Sequence, residues 1–253
     1  SASLVGSEMC IRDSQRTIAL IGMDAFQKLQ QAHVMVFGLG GVGSYLTEAL
    51  ARAGIGQLTI IDHDTVSLSN CNRQLPALHS TIGMPKTAVI QQRIADINPA
   101  CQVTVKDCFF SPETADQFSF ADCSFVADAI DTVTAKLLLI ERAKAANVPV
   151  ISCMGTGNKL DPSRFRITDY TKTQVCPLAR VMRLELRKRG MQDVPVLWSD
   201  EPPKSAQGLG KTEHGKPVPA SISYVPSVAG LLMAGYIIRH FTEPHTCLLY
   251  TSD

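Results

Sequence analysis

The fold is decided by the stretch HVMVFGLGGVGSYLTEALARAGIGQLTIID, residues 33–62. Residues 33–37 and 58–61 are short apolar runs that predict two buried strands, and residues 42–53 between them have the apolar spacing of a helix. A glycine-rich turn, Gly38-Leu39-Gly40-Gly41-Val42-Gly43, joins the first strand to the helix. Together these segments predict a βαβ unit, which is built around two parallel strands.

The alternation of strand and helix continues beyond this unit. Pro85 suits the first turn of a helix at 86–97. The pattern then predicts strands at 102–106, 124–127 and 150–153, and a helix at 133–146. Because strands that alternate with helices form a parallel sheet covered on both faces, we predict an α/β fold. Residues 15–155 are expected to form its doubly wound, mostly parallel, Rossmann-like sheet.

Residues 156–246 are less regular and predict a smaller C-terminal α+β extension. The pattern indicates strands at 164–168 and 194–198, a basic helix at 177–189 and an apolar helix at 228–241. Residues 199–220 concentrate Pro, Gly and Lys without apolar periodicity, so we expect a long mobile loop there. The apolar helix is expected to pack in the core or in a dimer interface, and the region as a whole to bind substrate and to dimerise.

The composition is that of a globular protein. The chain has 253 residues, 45% of them hydrophobic, and a formal net charge of +1, so no overall basic excess points to nucleic acid or to a membrane surface. Its longest apolar stretch, around residues 230–238, is too short for a membrane span. The eight cysteines are irregularly spaced and form no CxxC pair, which indicates reduced thiols, a cytoplasmic protein and no zinc site.

Both ends of the chain differ in character from the rest. Residues 1–14, SASLVGSEMCIRDS, and residues 247–253, CLLYTSD, resemble translated sequencing-adaptor read-through more than a targeting signal. We therefore expect both segments to be non-native, so that Cys10 and Cys247 carry no function.

The glycine turn is a candidate phosphate-binding site. It matches G-x-G-x-x-G between a strand and a helix, where free backbone N–H groups and the helix dipole hold phosphate oxygens. Asp62 follows at the end of the next strand, where a carboxylate bonds a ribose hydroxyl. Taken alone, these features favour a NAD-binding oxidoreductase or a binding module, or a turn in which the glycines serve packing only.

The residues after the second strand favour a triphosphate. Arg73 and Lys86 can neutralise phosphate charge, while Asp128 and Asp131 in the sequence DAID can hold Mg²⁺ with its waters. A hydride-transfer enzyme has little need of this set. Each residue also has a structural interpretation, in which Lys86 is a surface lysine and Asp128 a buried, hydrogen-bonded brace.

Four segments resemble the adenylation domain of ubiquitin-activating-like enzymes. They are GLGGVGS at 38–44, IDHDTVSLSNCNRQ at 61–74, GMPK at 83–86 and DAIDT at 128–132. Members of that superfamily activate a carboxylate by its attack on the α-phosphate of ATP. The resemblance extends over residues 15–240 and implies ATP and Mg²⁺ as cofactors.

The resemblance also implies a role for each matching residue. Groups that line the phosphates are expected at Gly38, Gly40, Gly41, Gly43 and Ser44. Further contacts with the nucleotide are expected at Asp62, which would bind ribose, and at Asp64, Asn70 and Asp128. Catalytic roles are implied for Arg73, Lys86 and Asp131, and Asp131 would also position Mg²⁺ through waters. Asp64 and Asn70 have the alternative of capping or bracing a turn.

Arg16 matches a separate feature of the superfamily. The segment RTIALIG at 16–22 resembles the N-terminal segment whose arginine reaches the ATP of the partner subunit. A planar, permanently charged guanidinium suits such an arginine finger. The resemblance therefore implies a homodimer in which Arg16 has a catalytic role, and the alternative is an exposed surface arginine.

Within the superfamily, the second half of the chain resembles the tRNA threonylcarbamoyladenosine dehydratases. The matching segments are GTGNKLDP at 155–162, TDYTKT at 168–173, PLA at 177–179 and SISYVPSVAG at 221–230. Cys176 stands where that family usually has Asp.

The family implies tRNA as substrate. ATP would convert the carboxylate of threonylcarbamoyladenosine at position 37 into an acyl-adenylate, and the carbamoyl group would then close a ring and expel AMP. The alternative is an adenylyltransferase acting on the C-terminal glycine of a ubiquitin-like sulfur carrier, although such enzymes usually carry two CxxC pairs. A sulfur-relay protein is a candidate partner.

A basic stripe is predicted on the helix at 177–189. Arg180, Arg183 and Arg187 lie at i, i+3 and i+7 and therefore share one face. We expect them to contact RNA phosphates, and the alternative is an ordinary solvated helix surface.

Overall fold

The computed structural model describes residues 13–205, 208, 210 and 218–243. Its strands are β1 His33–Phe37, β2 Gln57–Ile61, β3 Gln102–Lys106, β4 Phe125–Asp128, β5 Val150–Cys153, β6 Phe165–Asp169 and β7 Pro195–Ser199. They form one seven-stranded sheet in the order β3-β2-β1-β4-β5-β7-β6. Neighbouring strands are parallel except β6, which pairs antiparallel with β7 at the edge.

Helices cover both faces of this sheet. They are α1 Gln15–Ile21, α2 Met23–Gln31, α3 Gly43–Ala53, α4 Lys86–Ile97, α5 Val133–Ala145, α6 Pro177–Lys188 and α7 Tyr224–Thr242. Alternate residues of β1 enter two separate apolar clusters, Val34 and Val36 on one face and Met35 and Phe37 on the other. The prediction of a doubly wound, mostly parallel α/β sheet is confirmed.

The first βαβ unit forms as the sequence predicts. Strands β1 and β2 pair in parallel register, from His33 opposite Gln57 to Phe37 opposite Ile61. Helix α3 buries Leu46 and Leu50 and ends at Gly54, which adopts the left-handed conformation with φ of 95°. Glycine reaches this region without a steric penalty, so it ends the helix and turns the chain into β2.

The sequence pattern missed the two N-terminal helices. No element was predicted over residues 15–32, but α2 buries Ala25, Phe26 and Leu29 and packs on α7. Helix α7 begins at Tyr224, four residues before the predicted start at 228, because Pro226 falls in its first turn, where a missing backbone N–H costs no helical hydrogen bond.

The last two strands join the main sheet. Strands β6 and β7 are held together across the antiparallel pair, where Trp198 Nε1 donates to Thr168 Oγ1 at 2.9 Å. Ser199, the first residue of the predicted loop, is the last residue of β7, and Glu201 is buried. The described part of residues 200–220 contains no helix or strand. Residues 206–207, 209 and 211–217 lie outside the described residues, so the mobility of this loop stays a prediction.

The two segments expected to be non-native fall almost wholly outside the described residues. These residues begin at Asp13 and end at Glu243. Within that part of the chain, no helix combines the length and the hydropathy needed to cross a bilayer.

Candidate functional site

A cleft of about 690 Å³ lies along the carboxyl ends of the parallel strands. Its walls include Gly38 after β1, Asp62 after β2, Ile130 after β4 and Met154 after β5. The sheet reverses its winding between β1 and β4, and ligands of open α/β sheets bind at such a point. We therefore describe this cleft as the candidate active site.

The glycine turn forms one wall of the cleft. At two of its positions, Gly38 and Gly43, a side chain cannot fit. Gly38 has a φ of +90°, and a Cβ on it would lie 2.8 Å from the carbonyl oxygen of Ala129. A Cβ on Gly43 would lie 1.7 Å from the carbonyl oxygen of Gly38. Gly38, Gly40 and Gly41 line the cleft, whereas Gly43 lies behind the turn. The strand therefore approaches the helix closely and leaves its backbone open to a ligand.

Ser44 and Asp62 hold this turn in place. The buried Ser44 hydroxyl donates to the carbonyl oxygen of Gly40 at 2.6 Å and accepts from the Leu75 amide at 3.3 Å. One Asp62 oxygen accepts from the Leu39 amide at 2.6 Å, and the other accepts from the Asp64 amide at 2.8 Å. Asp62 also lines the cleft, whereas Ser44 does not.

Lys86 is buried, which excludes the interpretation as a surface lysine. Its residue exposure is 3%, and its ammonium lies 2.7 Å from Asp64 Oδ2. Lys86 is the first residue of α4, and its backbone amide donates to the carbonyl oxygen of Asp64 at 3.0 Å. These two contacts between Lys86 and Asp64 hold the amino end of α4 beside the residues that follow β2. Lys86 and Asp64 both line the cleft.

Arg73 lines the cleft beside the glycine turn. Its Nη1 donates to the carbonyl oxygen of Ser69 at 2.9 Å and to Asn72 Oδ1 at 2.8 Å. Burial lowers the pKa of the Arg73 guanidinium, although an arginine keeps its charge at neutral pH. Asn70 does not line the cleft: its Oδ1 accepts from the Ser67 amide at 3.2 Å and closes a short 3₁₀ turn. The structure therefore gives Asn70 the bracing position.

The two DAID aspartates occupy different environments. Asp128 is fully buried, accepts from Lys136 Nζ at 3.0 Å and from Ser152 Oγ at 2.5 Å, and does not line the cleft. Asp131 is exposed, lines the cleft and accepts from the Thr132 hydroxyl at 3.3 Å. Only Asp131 of this pair is placed to meet a bound metal or phosphate.

Gln74 is a buried polar residue at the wall of the cleft. Its Oε1 is buried and, in the part of the chain that the structure describes, accepts no hydrogen bond. A buried acceptor without a donor is costly, and Gln74 lines the cleft. Arg73 and Lys86, which also line the cleft, supply positive charge that suits phosphates. Gln74 follows Arg73 at the end of the segment 61–74, and the sequence pattern predicts no role for it.

The acidic residues after β2 form a further cluster. Asp62, His63 and Asp64 each offer a ligand atom, and these atoms lie within 4.8 Å of one another. The His63 ring also packs edge-on against Phe109, with centroids 4.8 Å apart. All three residues line the cleft described above, so the cluster is part of it. Asp62 already accepts from backbone amides, and Asp64 already pairs with Lys86.

Four predicted arginines lie outside the cleft. Arg16 is exposed on α1. On α6, Arg180 and Arg187 are exposed, whereas Arg183 is half-buried and its Nη1 donates to the carbonyl and to the hydroxyl of Thr173. Two arginines of the predicted stripe, Arg180 and Arg187, are therefore exposed to solvent. Arg183 instead ties α6 to the preceding loop.

Two cysteines line the cleft beyond β5. Cys153 ends that strand and Cys176 precedes α6, and both are buried. Burial raises the pKa of the Cys153 thiol to about 12. Because the thiolate is the nucleophilic form, Cys153 is unreactive at neutral pH.

The family comparison agrees with this geometry. A family model, that of the ThiF family, matches residues 13–249. The chain belongs to the ThiF family. This ThiF family member is 42% identical over 228 residues to the tRNA threonylcarbamoyladenosine dehydratase of Bacillus subtilis, which covers 86% of this chain and 90% of that protein. The resemblance seen in the sequence is confirmed.

Two further relatives of this ThiF family member are informative. Its fold matches the crystal structure of Escherichia coli tRNA N6-threonylcarbamoyladenosine dehydratase in complex with ATP, with a TM-score of 0.83, 33% identity and coverage of 91% of this chain and 94% of that one. It is also 35% identical over 175 residues to the molybdopterin-synthase adenylyltransferase of Salmonella typhimurium, which covers 69% of each chain.

Proposed function

We propose that this protein catalyses the ATP-dependent dehydration of N6-threonylcarbamoyladenosine at position 37 of tRNA. The observation that carries this proposal is the 42% identity, over 90% of its length, to a protein named for that activity. The cleft supports it because a glycine turn, two cations and an acidic residue lie on one side, and a second, mainly apolar half remains open for another substrate.

The first step joins the substrate carboxylate to the α-phosphorus of ATP and breaks the bond to pyrophosphate. Gly38, Gly40 and Gly41 present backbone to the phosphates, and Asp62 receives the ribose. Arg73 and Lys86 stabilise the charge that gathers on the phosphate oxygens, which is the main catalytic contribution expected here. The Lys86 ammonium is held in this position by Asp64, whose Oδ2 lies 2.7 Å from Lys86 Nζ.

Mg²⁺ is part of this proposal. Asp131 is an exposed carboxylate that lines the cleft, and hard oxygen ligands with several retained waters suit this ion. The ion would reduce repulsion between the phosphates and the incoming carboxylate. Asp131 would hold it through water.

In the second step the carbamoyl group attacks the acyl carbon, a ring forms, AMP leaves and the attacking group loses a proton. The net result is the loss of one water from the nucleoside. No protein nucleophile is needed in this step. The protein's task in this step is to hold the acyl-adenylate and to keep water out of the cleft.

We also propose a homodimer in which Arg16 reaches the nucleotide of the partner. Arg16 is exposed and does not line the cleft of its own chain. The same helix exposes Leu20 by 86%, and α7 exposes Leu231 by 50%. In the proposed homodimer, these exposed apolar side chains are candidates for the interface.

One experiment tests the main proposal. The protein is incubated with Mg-ATP and tRNA that carries threonylcarbamoyladenosine, and the nucleosides are analysed by mass spectrometry. We expect the modified nucleoside to lose the mass of one water while AMP is released. Unchanged nucleosides, under conditions where the protein adenylates the tail of a ubiquitin-like carrier, would replace this proposal with the sulfur-carrier alternative.

A further inference from the structure

The half of the cleft beyond Asp131 contains a buried lysine that the adenylation step leaves without a role. This half is defined here as the acceptor half and is formed by residues 153–159, 176–178, 203 and 219–221. It lies at the ends of β5 and β7, on the side of β4 opposite the glycine turn. Two strand spacings, about 10 Å, separate β1 from β5. A nucleotide that occupies the turn therefore leaves this half for the second substrate.

The acceptor half is mainly apolar. Its walls include Met154, Cys176, Leu178 and Pro203. Lys159 is the one positively charged side chain among the described residues that line it. The other two cations of the cleft, Arg73 and Lys86, stand on the phosphate side.

The ammonium of Lys159 is fixed but incompletely bonded. Lys159 is 4% exposed, and Nζ donates to the carbonyl oxygen of Glu201 at 2.5 Å. An ammonium can donate three hydrogen bonds, and this is its one hydrogen bond to the described residues. Burial lowers the pKa of Lys159, an effect that Cys176 and then the charges of Glu201 and Asp200 partly offset.

The nearest carboxylate is already engaged elsewhere. The oxygens of Glu201 accept from the backbone amides of Leu160 and Asp161, at distances of 2.9–3.1 Å. Asp200 pairs with Arg164 at 2.7 Å. Lys159 therefore has charges around it but no carboxylate bonded to it.

The surrounding loops keep this lysine in place. Asn158 exchanges hydrogen bonds with Ala220, as its amide donates to the Ala220 carbonyl oxygen at 2.8 Å and its Oδ1 accepts from the Ala220 amide at 2.7 Å. The carbonyl oxygen of Asn158 accepts from the Lys204 amide at 2.8 Å. Three loops thus meet around the acceptor half, and a bound group finds Lys159 already positioned.

We propose that Lys159 binds the carboxylate of the second substrate, the group that is to be adenylated. This inference rests on the proposed function, since it assigns the substrate carboxylate of that reaction to a residue. A carboxylate supplies the charged acceptor that the Lys159 ammonium lacks, and hydrogen bonds between charged groups are stronger than neutral ones. Lys159 is then a specificity-determining residue that selects a substrate bearing a carboxylate.

The test compares two proteins with two ligands. The proteins are the wild type and Lys159→Gln, whose side chain is one bond shorter and keeps an amide donor but carries no charge. The ligands are tRNA with threonylcarbamoyladenosine at position 37 and the same tRNA with unmodified adenosine. We expect the wild type to bind the modified tRNA about tenfold more tightly, as one charge-assisted hydrogen bond allows, and Lys159→Gln to lose this preference.

Matched controls separate charge from folding. Lys28 is exposed on α2, so Lys28→Gln should keep the preference, and Lys159→Arg should keep most of it. ATP affinity should change less than twofold in Lys159→Gln because Arg73 and Lys86, the cations on the phosphate side, are unchanged. A methyl ester of the modified nucleoside, offered to the wild type, should bind as weakly as unmodified adenosine, and this measurement needs no variant.

Each contrary result has a distinct meaning. If Lys159→Gln keeps the preference, or if it weakens both tRNAs equally, Lys159 only braces the Glu201 loop and the inference is wrong. A wild type that binds ester and acid equally also overturns it. If the wild type removes no water from the modified tRNA, the proposed function itself fails.

Discussion

Lys136 Nζ lies 3.0 Å from Asp128 Oδ2, and both side chains are completely buried. The Ser152 hydroxyl donates to the same oxygen, and the Ile130 amide donates to Oδ1 at 3.1 Å. Asp128 ends β4 and Ser152 lies opposite it on β5. The ion pair therefore ties α5 to the end of β4, and the Ser152 hydroxyl links β5 to the same carboxylate. Together these contacts fix the start of the loop that carries Asp131.

The first prediction concerns this pair. Lys136→Met leaves a buried carboxylate without its cation, which typically costs about 3–5 kcal/mol of unfolding free energy. Urea denaturation should show this loss, and adding Asp128→Asn should recover part of it because the remaining group is then neutral. The exposed Lys172 gives a control, Lys172→Met, with a change of less than about 1 kcal/mol. A fully stable Lys136→Met variant would contradict the buried ion pair.

The second prediction concerns the glycine turn. A Cβ at Gly43 would lie 1.7 Å from a backbone oxygen, whereas a Cβ at Gly235 in α7 meets nothing within 4 Å. We expect Gly43→Ala to lower the melting temperature and to abolish ATP binding, measured by calorimetry. Gly235→Ala should be neutral or stabilise by up to about 1 kcal/mol, since alanine favours helices. If Gly43→Ala and Gly235→Ala have the same melting temperature and ATP affinity, the backbone of the turn can shift to accept a side chain and the prediction is wrong.

The third prediction separates charge from stability at Lys86. Its partner Asp64 has a half-exposed side chain, so water can solvate the carboxylate when the lysine is removed. We expect Lys86→Met to change the unfolding free energy by no more than about 1 kcal/mol. ATP affinity should nevertheless fall at least tenfold, because the cation at the phosphates is lost. Lys28→Met is the matched control, and unchanged ATP affinity in Lys86→Met would remove Lys86 from the proposed site.

The fourth prediction concerns RNA contacts of α6. Arg180 and Arg187 are exposed, whereas Arg183 is bonded to Thr173. Arg180→Glu and Arg187→Glu should each weaken tRNA binding and reduce its dependence on salt by about one ion per lost phosphate contact. ATP binding should stay the same. If Lys28→Glu on α2 has an equal effect, α6 is not the RNA-binding face.

The fifth prediction tests the proposed arginine finger. Arg16→Ala and Lys86→Ala are expected to be inactive as separate proteins. When the two are mixed and their subunits exchange, each heterodimer contains one cleft with both residues, so activity should partly return. Native mass spectrometry verifies the exchange. A mixture that exchanges but stays inactive would mean that Arg16 does not act across the interface.

The sequence by itself determined the elements of the sheet and most of the cleft. Strands β1, β3 and β5 lie where the pattern predicts them, and Gly38, Asp62 and Arg73 line one cleft. These features are local. Apolar periodicity fixes the type of an element, and in a parallel sheet the residues after each strand meet at one edge.

Only the tertiary structure decided which charged side chains are buried and what they contact. Lys136 meets Ser152 sixteen positions away, and Lys159 meets the carbonyl of Glu201 across forty-two positions. The resemblance implied a nucleotide contact for Asp128, with a buried brace as the alternative, and the burial of Asp128 beside Lys136 favours the brace. Helices α1 and α2 are only seven and nine residues long, so each offers few helical turns in which apolar spacing can be recognised, and α2 packs on α7. Burial and partner depend on contacts between distant segments, and these contacts exist only once the sheet has formed.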